Sequence, residues 1–255
     1  MKIPKIEFRV MTLEENIDII KWAYYENNDL LDVYNYVIEY FPELANIDKN
    51  LPRDEVYKII EEVVEKDYNK YKTRIEEEVK RYSFLWEKYN DLYFRTLSNY
   101  LEIDWPIDIE IIECNVGLIP VFPRDLDSFS FSISTGVEES KLIGVCAHET
   151  LHFLWFEKWK RIHPETPRIE FDSPYTVWQY SEMVTDPILN NKPFCDIFNF
   201  KEYGYDSFYE IYDGEALVID NLRDIYSKDI PIDDKINKGF NYVSGVLERG
   251  NGRNV

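Results

Sequence analysis

The spacing of apolar and polar residues predicts that roughly the first hundred residues are helical. Thr12 offers a helix N-cap, Glu14 and Glu15 place acids in the first turn, and helical spacing follows. Asn27–Asp29 should end this first helix. Further helices are predicted up to about Tyr40, over Arg53–Lys66 and over Asp67–Tyr100, with a loop over 46–52.

The pattern changes from helical spacing to alternation after Asp104-Trp105-Pro106. Ile107–Cys114 alternates with a period of two and is predicted to be a strand, which Asn115–Gly117 should end as a turn. Strict alternation returns in Ser128–Ser134, and this second strand should have one polar and one apolar face.

The second half of the chain returns to helical spacing. Val137–Arg161 is predicted to be a helix, and Ser173 followed by Pro174 is typical of the start of another helix, which should run to about Asp186. Pro187 should end or kink that helix, and residues from 206 to 249 should be mostly helical. We therefore expect an α+β fold that is predominantly helical with a small mixed sheet. A helical N-terminal region over 1–103 should precede a domain over 104–255.

Composition and charge narrow the possible functions. The chain has 29 Lys and Arg against 49 Asp and Glu, a formal net charge of −20, which disfavours nucleic acid and membrane surfaces as partners. Three cysteines are too few for a disulfide framework and suit a reducing compartment. Met1–Arg9 has no apolar stretch typical of a signal peptide, so the expected location is the cytoplasm.

The strongest chemical signal is His148-Glu149-Thr150-Leu151-His152 on the helix predicted over Val137–Arg161. Residues four apart lie on one helix face, so both imidazoles can reach a single Zn²⁺ ion, and Glu149 can reach a water beside it. The chain has only three histidines, so a chance match to this spacing would be rare. The alternative is that these are two ordinary histidines on a helix face.

A catalytic zinc needs a third protein ligand. Lys158 and Trp155 occupy the positions that would be His and Gly in one common extended form of the motif, which excludes that form. His163 falls in a loop, where a surface role is favoured. Glu182 is the better candidate, since its helix is rich in apolar residues and a buried acid needs a partner, whereas an exposed acid would belong to a solvated face.

Asp186 lies one turn beyond Glu182 and could orient a ligand histidine through its second ring nitrogen. His148-Glu149-x-x-His152 followed by Glu182-x-x-x-Asp186 resembles the gluzincin branch of the zincin metallopeptidases, the thermolysin-like group. The resemblance covers the metal-binding helix, the glutamate helix and the preceding strand. The N-terminal third has no counterpart in it.

The resemblance implies a zincin-like metallopeptidase domain over 104–255, with one Zn²⁺ held by His148, His152 and Glu182. Glu149 would be the general base in peptide hydrolysis, and Asp186 would orient a ligand histidine. Ser128–Ser134 would be the edge strand that pairs with an extended peptide or protein substrate. A tyrosine or histidine would stabilise the oxyanion, with these candidates: Tyr175, Tyr180, His163, Tyr203 and Tyr205. The alternative is a catalytically inactive metal-binding or regulatory protein on the same scaffold.

Overall fold

The computed structural model describes residues 2–26, 33–48, 50–198 and 201–251. Helices dominate these residues and a small mixed sheet accompanies them, which confirms the predicted α+β, predominantly helical class. The chain divides into two compact units. The sheet unit comprises Pro4–Asn90 and Asp108–Val145, and the helical unit comprises Met1–Ile3, Asp91–Ile107 and Cys146–Val255. Each unit therefore draws on both sides of the predicted boundary between residues 103 and 104.

The mixed sheet lies in the sheet unit. Its strands, in the order β1-β2-β4-β3 across the sheet, are β1 (Lys5–Val10), β2 (Ile111–Gly117), β4 (Ser130–Ser134) and β3 (Arg124–Asp125). β2 pairs in parallel with both β1 and β4, whereas the short β3 pairs antiparallel with β4. β2 is thus an inner strand, and its residues Ile112, Cys114 and Val116 are buried.

The strand β1 was not predicted, because the N-terminal region was interpreted as helical throughout. Its residues alternate charged and apolar side chains, with Phe8 buried and Arg9 on the other face. Arg9 forms ion pairs with Glu15 at 2.6 Å and with Glu113 on β2 at 2.8 Å. These contacts place the start of the chain beside a strand that comes much later in the sequence.

Two sequence predictions about the strands are corrected by the pairing. β2 continues through the predicted turn Asn115–Gly117, because Asn115 and Val116 have ladder partners on both β1 and β4. β4 is not the sheet's edge strand, because Arg124 and Asp125 of β3 pair with Phe131 and Ser130. The expected role of Ser128–Ser134 as an open edge for a peptide is therefore wrong over this paired part.

The helices before β2 are α1 (Leu13–Tyr25), α2 (Val33–Tyr40) and α3 (Arg53–Leu101), with a 3-10 helix at Pro42–Asn46. Thr12 and Glu15 form the predicted capping box at the start of α1. The break predicted at Asn27–Asp29 lies outside the described residues. α3 is one continuous helix rather than the predicted two, since Arg53–Leu101 contains no glycine or proline to interrupt it. No helix among the described residues combines the length and apolarity that a membrane span requires.

Gly117, at the end of β2, leaves room for the buried side chain of Asn16. Oδ1 of Asn16 accepts the N–H of Leu118 at 2.7 Å, and its Nδ2 donates to the carbonyl of Thr12 at 2.7 Å. A Cβ atom added at Gly117 would lie 2.6 Å from Oδ1 of Asn16 and 2.7 Å from Sδ of Met11. A side chain here would therefore displace a buried amide from its hydrogen bonds.

We expect Gly117→Ala to lower the free energy of unfolding by about 1–3 kcal/mol, through overpacking and weakened buried hydrogen bonds. Urea unfolding followed by circular dichroism measures this change. Gly245→Ala is the matched control, since Gly245 lies inside the last helix and a Cβ atom there would be 3.4 Å from the side chain of Arg249, so alanine should raise stability by about 0.5–1 kcal/mol. Wild-type stability of Gly117→Ala would contradict the interpretation.

The helical unit contains most of α4 (Glu139–Ile162) and all the elements after it. A 3-10 helix at Arg168–Phe171 follows α4. The later helices are α5 (Thr176–Met183), α6 (Thr185–Leu189), α7 (Lys192–Cys195), α8 (Val218–Ser227) and α9 (Ile232–Asn251). The segment predicted to be mostly helical from residue 206 also contains a 3-10 helix, Asp206–Glu210, and a short hairpin of β5 (Tyr212–Asp213) and β6 (Ala216–Leu217).

The core of the helical unit is aromatic. The rings of Trp155 and Trp159 on α4 stack with centroids 5.3 Å apart, and Tyr180 on α5 meets Trp155 edge to face at 5.6 Å. The hydroxyl of Tyr180 is 2.9 Å from that of Tyr226 on α8. Such a core fixes α4 and α5 against each other.

The predicted helix over 174–186 is in fact two helices joined at Val184. Val184 ends α5 and begins α6, so Pro187 falls in the first turn of α6 instead of ending a helix. Backbone N–H groups in a first turn have no intrahelical partner, and proline loses nothing there. The break between the helices at Val184 places Glu182 on α5 and Asp186 on α6.

Candidate metal centre

α4 presents the two predicted histidine ligands from one face. Nε2 of His148 and Nε2 of His152 lie 3.0 Å apart, because residues one helical turn apart lie on the same face of a helix. Two hydroxyls brace the helix here: Tyr93 donates to the carbonyl of Ala147 at 2.6 Å, and Thr150 donates to that of Cys146 at 2.5 Å. Tyr93 thus holds the backbone of α4 from a neighbouring helix, whereas the Thr150 contact lies within α4 itself.

Glu182, in the last turn of α5, completes the group. Its Oε2 lies 3.2 Å from Nε2 of His148 and 3.4 Å from Nε2 of His152. The glutamate is only 1% exposed, and His152 is fully buried. The donor atoms of the three residues that the sequence predicts as metal ligands therefore lie close together. Among the described residues, these three form the group that could hold a metal ion.

The spacing of these three donor atoms fits a zinc ion. Zn–N and Zn–O bonds of about 2.0–2.1 Å in a tetrahedron place the ligand atoms about 3.3 Å apart. The separations of 3.0, 3.2 and 3.4 Å are close to that value. Two imidazoles and one carboxylate also leave a fourth position for water or substrate, as catalytic zinc sites do.

The electrostatics of the group favour a positive charge at the shared point. Burial alone would lower the pKa of the His148 imidazole, because desolvation disfavours its charged form. The carboxylates of Glu202 and Glu182 outweigh that effect and hold the pKa of His148 well above its usual range. A site that favours positive charge in this way is also suited to a cation that takes the place of the proton on Nε2 of His148.

Glu202 is the functional residue that sequence reasoning missed. Its Oε1 lies 2.7 Å from Nδ1 of His148, and the residue is 6% exposed. A carboxylate on Nδ1 keeps the proton on that nitrogen and leaves Nε2 free to bind a metal. Glu202 lies in a segment without helical or alternating spacing, so no local pattern marked it.

Asp186, predicted to orient a ligand histidine, has other partners. Arg223 on α8 donates to both of its carboxylate oxygens at 2.7 Å, and the hydroxyl of Tyr209 donates to Oδ2 at 2.8 Å. Asp186 is 1% exposed, and this bidentate pair compensates its burial. The carboxylate observed on His148 is that of Glu202, which corrects the predicted source of that contact.

Glu149 follows His148 on α4 and is 7% exposed. The neighbouring Cys146 is a buried thiol whose pKa is raised well above its usual value by burial and by the charge of Glu149. A thiol of this kind stays protonated and is a poor nucleophile. The chemistry available to this face of α4 is therefore that of the carboxylate of Glu149 and not of the cysteine.

Two of the candidates for oxyanion stabilisation have structural roles. The hydroxyl of Tyr180 donates to the carbonyl of Ile236 at 3.0 Å and meets the hydroxyl of Tyr226 inside the core. The ring of His163 packs on Trp159 with centroids 4.3 Å apart. The other three candidates are partly exposed tyrosines: Tyr175, Tyr203 and Tyr205.

The comparisons with known proteins concern the whole chain. Neither models of protein families, nor curated protein sequences, nor solved structures gave a match to this chain. Functional inference for this protein therefore rests on the geometry of the metal centre itself.

Proposed function

We propose that this protein is a zinc-dependent hydrolase, specifically a metallopeptidase. The observation that carries the proposal is the convergence of Nε2 of His148, Nε2 of His152 and Oε2 of Glu182 within 3.0–3.4 Å of one another in a buried site. Glu149 stands next to the first of these ligands in the sequence, as the general base of a metallopeptidase does. The cytoplasm is the proposed location, and the free thiols of Cys114, Cys146 and Cys195 support it.

In the proposed chemistry, the metal and the residues of the chain have separate roles. Zn²⁺ bound here would polarise the scissile carbonyl and make water a better nucleophile near neutral pH. Glu149 takes the proton from the attacking water and passes it to the leaving amine. Glu202 holds His148 in the tautomer that leaves Nε2 free to bind a metal, and the buried carboxylate of Glu182 would supply the anionic ligand.

Metal analysis combined with a peptidase assay tests the proposal. Protein loaded with zinc and then dialysed should contain one zinc per chain by plasma mass spectrometry. The loaded protein should cleave members of an unstructured peptide library, with products identified by mass spectrometry. A chelator should abolish cleavage, and added zinc should restore it.

The matched control is His163→Ala, which removes the histidine outside the metal centre and should retain both zinc and cleavage. Failure to bind a transition metal under any loading condition would refute the proposal. Binding of zinc without cleavage of any peptide would favour the alternative, a metal-binding or regulatory protein on a zincin-like scaffold.

A further inference from the structure

The main chain at Glu202 is held by the side chain of Asn190. Nδ2 of Asn190 donates to the carbonyl of Glu202 at 3.0 Å, and Oδ1 of Asn190 accepts the N–H of Glu202 at 2.9 Å. One amide therefore satisfies both backbone groups of the residue whose carboxylate contacts His148. Asparagine is suited to this contact, because its side chain carries a donor and an acceptor side by side.

Asn190 is itself held in place by α6. It follows the last residue of that helix, and its N–H donates to the carbonyl of Asp186 at 3.0 Å. Its side chain is thus anchored to a helix that continues from the one carrying Glu182. Because Asn190 is attached to α6, its side chain fixes the coil segment around Glu202 relative to that helix.

A second contact fixes the same segment two residues later. The N–H of Gly204 donates to the hydroxyl of Tyr209 at 3.1 Å, and that hydroxyl donates to Asp186. Asp186 therefore acts on the segment that contains Glu202 and not on a histidine directly. The coil is therefore attached at Glu202 itself and two residues after it, which limits the rotation available to the carboxylate of Glu202.

We propose that Asn190 is a positioning residue of the metal centre. By fixing the backbone of Glu202, it places Oε1 of Glu202 at 2.7 Å from Nδ1 of His148 and so sets the direction in which Nε2 of His148 points. Asn190 contacts neither the donor atoms of the metal group nor any substrate atom in this scheme. The inference rests on the proposed zinc site.

A double-mutant cycle on zinc affinity tests the inference. The dissociation constant of Zn²⁺ is measured by competition with a chromophoric chelator for wild type, Asn190→Ala, Glu202→Ala and the double variant. Removing outer partners of metal ligands typically weakens binding about 10–100-fold, and we expect Glu202→Ala in that range and Asn190→Ala at about tenfold. In the Glu202→Ala background, Asn190→Ala should add less than about twofold, because its target is gone.

Two further variants separate positioning from folding. Asn190→Asp keeps the shape and the acceptor but loses the donor to the carbonyl of Glu202, and should also weaken zinc binding about tenfold or more. Asn221→Ala is the control, since Asn221 is equally half-buried in the helical unit and donates to the hydroxyl of Tyr242 at 2.6 Å. It should leave zinc affinity unchanged. Thermal unfolding of each variant confirms that the folded protein is being titrated.

Three results would overturn the inference, and they are distinguishable. Wild-type zinc affinity in Asn190→Ala and Asn190→Asp, or an undiminished effect of Asn190→Ala in the Glu202→Ala background, would refute the positioning role alone. Absence of zinc binding by the wild-type protein would refute the proposed function and this inference with it.

Discussion

Replacing Glu149 with glutamine is expected to abolish peptide hydrolysis while zinc stays bound. Glutamine has the same shape but cannot accept a proton from water at neutral pH, and general acid–base catalysis contributes about 10²–10⁴-fold to a rate. We therefore expect kcat/KM to fall by at least about a hundredfold. The three proposed zinc ligands are unchanged in this variant, so zinc content should remain at one per chain.

Glu157→Gln is the matched control for that experiment. Glu157 lies on the same helix, but its carboxylate pairs with Lys160 at 2.8 Å and is no part of the metal centre. This control should retain wild-type kcat/KM and zinc content. Undiminished hydrolysis by Glu149→Gln would exclude Glu149 from the mechanism, and loss of zinc would mean that its carboxylate serves the metal instead.

The second large effect is expected for Glu182→Gln, which should lose zinc. Glu182 supplies the anionic donor of the group, and its buried carboxylate lies 3.2 Å from one imidazole nitrogen and 3.4 Å from the other. An uncharged amide is a much weaker ligand for a divalent cation. The loss of affinity should therefore exceed the about 10–100-fold expected when an outer partner such as Glu202 is removed.

Zinc-dependent thermal stability provides the measurement. A ligand that binds only the folded state stabilises it by RT ln(1 + [L]/Kd), so wild-type protein should unfold at a higher temperature as zinc is added. Glu182→Gln should show little or no such increase over the same concentrations. Glu165→Gln, an exposed glutamate in the loop after α4, is the control and should respond as wild type does. A wild-type response of Glu182→Gln would remove Glu182 from the ligand set.

The parts of the site that lie on helices could be predicted from the sequence. The spacing of His148 and His152 determines that they share a helix face, and the apolar neighbours of Glu182 indicate that its acid is buried. Both features are local, and the structure brings the three donor atoms together. Glu202 could not be predicted in the same way, because its contact with His148 depends on how a coil segment folds back over the helices.

The elements that were predicted wrongly from the sequence have identifiable physical causes. The alternation of Lys5–Val10 was available as a strand signal, but it is short and its partner β2 lies far along the chain. α3 was divided near Lys66 although no helix-breaking residue stands there. Pro187 was predicted to end or kink the helix, and the break lies three residues earlier, at Val184, so that the proline falls in the first turn of α6, where it is tolerated. The last two errors concern the limits of helices, whereas β1 is an element that was missed.

The parallel pairing of β1 with β2 also affects how the protein is made. Lys5 pairs with Ile111 in the ladder, so β1 is synthesised well before β2 and cannot pair until most of the sheet unit has been made. Until then β1 and later β2 expose unpaired backbone N–H and C=O groups that can associate with other chains. A variant that lacks Lys5–Val10 would leave that side of β2 uncovered permanently and should be prone to aggregate.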